Sequence, residues 1–278
     1  MSRVGFEITA KEGHARRGRL ALGRATVETP VFMPVATNGA VKMLSFDDVQ
    51  AAGASVLLAN AFHLATAGVL DDVAAAGSLN AFTGWQGAFI VDSGGFQVYS
   101  LADLRKVDDD GVTFRNPRDG GMMRFTPEEV VRIHRILKPA VGMVLDECAA
   151  LPAPRETLER AVARTTLWAK RSIDAAADAP PLFGIVQGGL ERDLRERSIS
   201  EITSLPFDGF AIGGLSVGER REAMCETLNW TAPALPENRP RYLMGVGDPV
   251  DVIEAVMRGV DMFDCVMPTR NARGAMAF

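Results

Sequence analysis

The feature that most constrains the fold is a repeated rhythm. Eight short apolar runs, at 31–36 (VFMPVA), 55–60 (SVLLAN), 89–93 (FIVDS), 143–147 (MVLDE), 182–187 (LFGIVQ), 209–213 (GFAIG), 241–246 (RYLMGV) and 261–266 (DMFDCV), are separated by helical patterns. The runs are mostly continuous rather than alternating, as strands buried on both faces read. Helix signals lie between them. Ser45 caps a segment that stops at Gly53. Thr126-Pro127-Glu128-Glu129 combines an N-cap, Pro at N1 and Glu at N3. Long amphipathic stretches cover 156–177 and 191–205, and Pro249 opens a helix that Gly259 closes. The pattern predicts an α/β chain folded as a (β/α)8 TIM barrel, a size of about 250 residues being typical. A doubly wound parallel sheet is the rival, but no G-x-G-x-x-G follows the first run.

Residues 1–278 read as a single barrel domain with two additions. Residues 1–30 form short strands with turns, an N-terminal β lid over the barrel bottom. Residues 107–125 read as β-hairpins, turning at Asp110-Gly111 and Asp119-Gly120. Following the third strand, this insertion is expected to overhang the mouth.

An apolar fraction of 47% and a charged fraction of 23% exclude a disordered or collagen-like chain. No apolar run reaches the ~18 residues of a membrane span, and the start of the chain has no apolar signal segment. Three widely spaced cysteines without a CxxC pair point to reduced thiols and a cytoplasmic location. The net charge of −5 weakens a nucleic-acid partner without excluding one, because net charge does not report patches.

In a barrel the chemistry sits where strands end. The ends read Asn60, Asp92, Asp146, Gln187, Gly213-Gly214, Met244-Gly245 and Asp264. One Asp there is readily a helix N-cap. Three, in otherwise apolar strands, fit a shared site better than three separate caps. Asp92-Ser93-Gly94-Gly95 and Gly213-Gly214-Leu215 bare backbone groups to a flat ligand, or serve only as tight turns. Gly188-Gly189 reads as a turn. His134, within VVRIHRILK, reads as structural or solvent-facing, and His63 lies near the mouth.

On these residues the chain resembles the tRNA-guanine transglycosylases. MPVAT with AVK (33–42), NAFHL (60–64), DSGGFQV (92–98), DE (146–147), GIVQGG (184–189), GGLSVGE (213–219), YLMGVG (242–247) and DMFDCVMPTR (261–270) match that family in order and spacing. The resemblance implies a TIM barrel that replaces the wobble guanine of tRNAs with a GUN anticodon by a 7-deazaguanine. Asp264 matches the nucleophile and Asp92 the general acid/base. Asp146, Gln187 and the Gly214–Leu215 backbone, with Ser93, match groups that hold the base, and Phe96 and Met244 the pair that sandwiches it. Arg270 and Arg273 match residues beside the flanking nucleotides. Val217 and Cys148 match the bacterial type, whose incoming base is preQ1. The resemblance also implies a homodimer in the full-length form.

Two short stretches depart from the family pattern: Ala67-Gly68-Val69 in place of Arg-Pro-Gly, and Gly274-Ala275. The family continues beyond the position of Phe278 into a zinc subdomain and a last helix. Zinc is therefore expected for the family, while its ligands are not present in this chain. With about fourteen residues after Asp264, the outer faces of the first and last strands are expected to lack a covering helix, leaving the chain poorly stable alone. Two other readings stay open: a non-catalytic tRNA-binding partner subunit, and a paralogue acting on another tRNA position or on DNA.

Overall fold

The apolar runs pair with one another in chain order. In the computed structural model, which describes residues 3–23, 25–95, 105–116 and 118–276, the chain opens with β1 (Gly5–Glu12), β2 (Ala15–Leu22) and β3 (Ala25–Thr29), an antiparallel sheet. The parallel strands follow: β4 (Val31–Pro34), β5 (Val56–Asn60) and β6 (Ala88–Asp92). An antiparallel insertion, β7 (Arg105–Asp108), β8 (Gly111–Arg115) and β9 (Met122–Phe125), interrupts them. The parallel series resumes with β10 (Val141–Met143), β11 (Leu182–Val186), β12 (Gly209–Ile212), β13 (Arg241–Leu243) and β14 (Met262–Cys265). These eight parallel strands form one sheet in which neighbours in sequence are neighbours in space, and β14 returns to pair with β4. The parallel bridge Val35↔Leu58, with Ala36 N–H donating to Leu58 O at 2.7 Å, joins β4 to β5 and completes the ring.

Alternation explains why the runs look uniformly apolar. Val56 and Leu58 of β5, like Ala88 and Ile90 of β6, belong to one buried cluster. Leu57, Ala59, Phe89 and Val91 belong to a second, with Phe62, Val73, Leu79 and Trp85. Both faces are covered, so both parities must be apolar. The next residues on the first parity are Asn60 and Asp92, which lie opposite each other in the ladder.

The helix signals act as read. Ser45 and Asp48 make a capping box for the helix Phe46–Ala51. Thr126 accepts from Glu129 N–H, with Pro127 in the first turn of Pro127–Leu137. Asp248 caps Pro249–Met257, and Gly259 follows at φ 94°. His134 is structural: its Nε2 lies 2.9 Å from Met143 O, and its ring packs where a Cβ on Gly142 would sit. Burial pulls its pKa down to about 4.

The fourth strand differs from the reading at 143–147. β10 occupies Val141–Met143, paired with β6 and β11, and Asp146 lies beyond its end. Strand length there follows the neighbouring ladders, not the extent of the apolar run. The initial sheet is tied to the starts of the barrel strands. Arg3 N–H donates to Asp208 Oδ1 at 2.6 Å, and the buried Arg16 grips Asp261 through Nε at 2.8 Å and Nη2 at 2.5 Å. On β4 and β14, Phe32 and Cys265 are half-buried, and the helix Pro249–Met257 leaves Val250, Ile253 and Met257 exposed. No helix is long and apolar enough to cross a membrane, among the described residues.

Candidate active site

The C-terminal ends of the parallel strands surround a cavity of about 460 Å³. That lies within the ~300–1,000 Å³ range of small-molecule sites. Its lining includes Asn60, His63, Asp92, Asp146, Cys148, Gln187, Gly214, Leu215, Val217, Tyr242, Met244, Gly245, Asp264 and Arg270. With Val35 and Thr37, residues from all eight parallel strands or the turns just after them thus meet in one place.

The three aspartates sit in different environments. Asp264, the last residue but one of β14, has Oδ1 accepting from Tyr242 O–H at 2.6 Å and Gly245 N–H at 2.8 Å. Burial raises its pKa, and those two donors oppose the rise by stabilising the anion. Oδ2 accepts no hydrogen bond among the described residues. Asp92 accepts from Asn60 Nδ2 at 2.8 Å through Oδ2, while its buried Oδ1 has no partner among the described residues. Desolvation, with the carboxylates of Asp146 and Asp264 nearby, pushes Asp92 up to about 7. Asp146 receives Gln187 Nε2 at 2.6 Å. Desolvation raises it to about 6, against the opposing effect of that bond. A carboxyl whose anionic form is favoured by two donors, beside one that exchanges its proton near neutrality, is the division of labour that nucleophilic displacement with proton transfer needs.

Glycine makes room for the Asp146–Gln187 pair. A Cβ on Gly95 would collide with the Asp146 carboxylate, and one on Gly213 would lie 2.6 Å from Gln187 Nε2. Gly214, at φ +65°, would collide with Gln187 Oε1. The loop beyond is pinned by Glu219, which accepts from Ser216 N–H and, at 3.0 Å, from Val217 N–H.

Asp264, Asp92, Asp146, Gln187, Gly214, Leu215, Met244 and Arg270 therefore come together. Ser93 does not line the cavity: it is fully buried, and its hydroxyl accepts from Gly95 N–H at 3.1 Å. Arg273 is exposed beyond the rim, one turn after Arg270 on the helix Met267–Arg273. Phe96 lies outside the described residues. Tyr242 was missed by sequence reasoning, although it shares the parity of Met244 on the same run. Asn60 was noted as a strand end, but its partner was not. His63 lines the mouth, where burial first and the cationic Arg118 second lower its pKa. Arg118 belongs to the turn between β8 and β9, which brings the insertion to the mouth.

Cys148 is buried at the cavity, Cys225 is buried in the helix Arg221–Ala234 and Cys265 is half-buried on β14. Among the described residues no group of three or more His, Cys, Asp or Glu is placed to hold a metal ion, so these residues do not fit a structural zinc.

A family model described as "Queuine tRNA-ribosyltransferase" matches residues 11–278. The queuine tRNA-ribosyltransferase of Stenotrophomonas maltophilia (strain K279a) is 49% identical over 281 residues, covering 100% of this chain and 75% of that protein. That of Xanthomonas oryzae pv. oryzae (strain PXO99A) is 50% identical over 284 residues, covering 100% of this chain and 74% of the relative. That of Hydrogenovibrio crunogenus is 48% identical over 274 residues, covering 98% and 74%. With a closed ring of eight parallel strands, a mouth built from its strand ends and this likeness along its length, the chain belongs to the queuine tRNA-ribosyltransferase family.

Proposed function

We propose that this chain is a pentosyltransferase that exchanges the wobble guanine of tRNA for preQ1 through a covalent ribosyl-enzyme intermediate. The observation that carries the reading is the contrast between Asp264, held by Tyr242 and Gly245, and Asp92, a proton carrier near pH 7, on one cavity. In the first half, an Asp264 oxygen bonds to C1′ as the C1′–N9 bond breaks. The bonding pair leaves with the base, and Asp92 supplies its proton. In the second half, Asp92 takes the N9 proton of the incoming base. N9 then bonds to C1′ and the ester to Asp264 breaks, releasing the carboxylate.

The base edge matches the pocket. Guanine presents N1–H and a 2-amino group to a carboxylate such as Asp146, and a carbonyl oxygen to donors such as Gln187 and the Gly214–Leu215 backbone. The nucleotide must leave its stack to enter so enclosed a site. Arg270 and Arg273, at positions i and i+3 of one helix, give phosphates a basic edge at the rim. Val217 fills the side of the pocket where a bulky 7-substituent would lie.

The test is a gel assay for a denaturant-resistant RNA–protein adduct, formed with tRNA, together with incorporation of labelled guanine. The wild-type chain is expected to give both and Asp264→Asn neither. An adduct in Asp264→Asn would displace the assignment.

A further inference from the structure

Beside the cavity lies a buried cation that the reaction itself does not use. Arg195, in the first turn of the helix Arg192–Thr203, has no exposed surface. Among the described residues no carboxylate lies within salt-bridge distance, and its Nη1 has no hydrogen-bond partner. Its pKa is drawn down to about 10, chiefly by desolvation. A buried guanidinium left partly unsatisfied is a poor device for stability.

Its partners are three backbone carbonyls. Nε donates to Gly189 O at 2.9 Å; Nη2 donates to Gly213 O at 3.1 Å and reaches Gly214 O at 3.5 Å. These belong to the two glycine pairs that follow β11 and β12. The first pair lies directly on the helix, since a Cβ on Gly188 would sit 2.7 Å from Arg195 N. In a planar trans peptide the N–H points away from the C=O. Carbonyls drawn back to Arg195 therefore turn the Gly214 and Leu215 N–H groups toward the opposite, cavity side. The Gly214 N–H accordingly faces the Cys148 thiol, which lines the cavity. The positive charge behind the carbonyls also polarises these peptides, making their N–H groups better donors.

We propose that Arg195 is a positioning residue: it holds the Gly213 and Gly214 carbonyls behind the pocket so that the Gly214 and Leu215 N–H groups meet the C6 carbonyl of the base. The inference rests on the functional reading above and adds an origin for the acceptor half of base recognition. Asp146 and its hold on N1–H and the 2-amino group are not involved.

The test compares guanine with 6-thioguanine, which keeps N1–H and the 2-amino group but offers a weaker acceptor at C6. Base affinities are measured for the wild type, Arg195→Lys and Arg195→Gln. Guanine affinity should fall about tenfold in both variants. 6-Thioguanine should change much less, so the ratio between the two bases should shrink toward one. Equal losses for both bases, or no loss, would overturn the proposal. A variant that fails to fold leaves a second measurement on the unmodified chain. The Gly214 amide proton should move downfield with guanine and less with 6-thioguanine, and an amide that responds equally to both, or to neither, refutes its role. A wild-type chain that binds neither base would instead overturn the functional reading.

Discussion

Replacing Asp92 by Asn should abolish exchange and yet stabilise the protein, by an amount that depends on pH. In the folded chain Asp92 keeps its proton until about pH 7. In an unfolded chain the same carboxyl loses it near ~3.9. Between those values folding takes up a proton, so this group's contribution to stability falls as pH rises from about 4 to about 7 and stays low above. A difference of about 3 units, at ~1.36 kcal/mol each, is about 4 kcal/mol. Roughly a third of it is already present at pH 5, so the gap between variant and wild type should widen by about 2–3 kcal/mol from pH 5 to pH 8. Asn suits the site. Its carbonyl can accept from Asn60 Nδ2, and its amide can point where Asp146 and Asp264 now repel a second anion. Urea unfolding of both proteins at the two pH values measures the gap. A gap that does not change with pH, or a variant weaker at both values, would refute the assignment of a raised, burial-driven pKa to this residue.

Tyr242→Phe removes one of two donors on the Asp264 carboxylate while keeping the ring. The anion is then less favoured, so the acid limb of adduct formation should move up by about 1–2 pH units, and an equal loss at every pH would contradict that role. Gln187→Ala should weaken base binding by about ten- to a hundredfold, since it leaves Asp146 without its buried partner; an effect only on turnover at saturating base would count against recognition. Val217→Gly should improve acceptance of queuine relative to preQ1 by opening the wall that Val217 now fills; competition between the two bases measures this, and an unchanged ratio removes Val217 from specificity.

Much of the fold was legible locally. Burial on both faces leaves its mark on every residue of a parallel strand, so the runs around β5, β6 and β11 could be read without knowing their neighbours. Ser45, Thr126 and Gly259 likewise act within one helical turn of themselves. Polar side chains closing apolar runs marked Asp92 and Asp264 as residues of one mouth, because one such carboxylate is readily a helix cap but three in otherwise apolar strands fit a shared site better.

What the local pattern could not carry was the pairing. Strand ends depend on the ladders beside them, which is why Asp146 stands past the end of β10 and not within it. The bond from Asn60 to Asp92 spans 32 positions and that from Tyr242 to Asp264 spans 22. Neither has a period or a cap to announce it, yet these bonds give the two carboxylates different surroundings. Arg195 is the clearest case. In sequence it is one arginine among several on an amphipathic helix, and only the packing of that helix under two glycine turns removes it from water and aims it at their carbonyls. The chain's own pattern determined that a parallel barrel forms and where its chemistry lies. Tertiary structure decided which carboxyl is drawn up to about 7, which is held by two donors and which N–H groups turn toward the cavity, because desolvation and hydrogen bonding act between groups that only folding brings together.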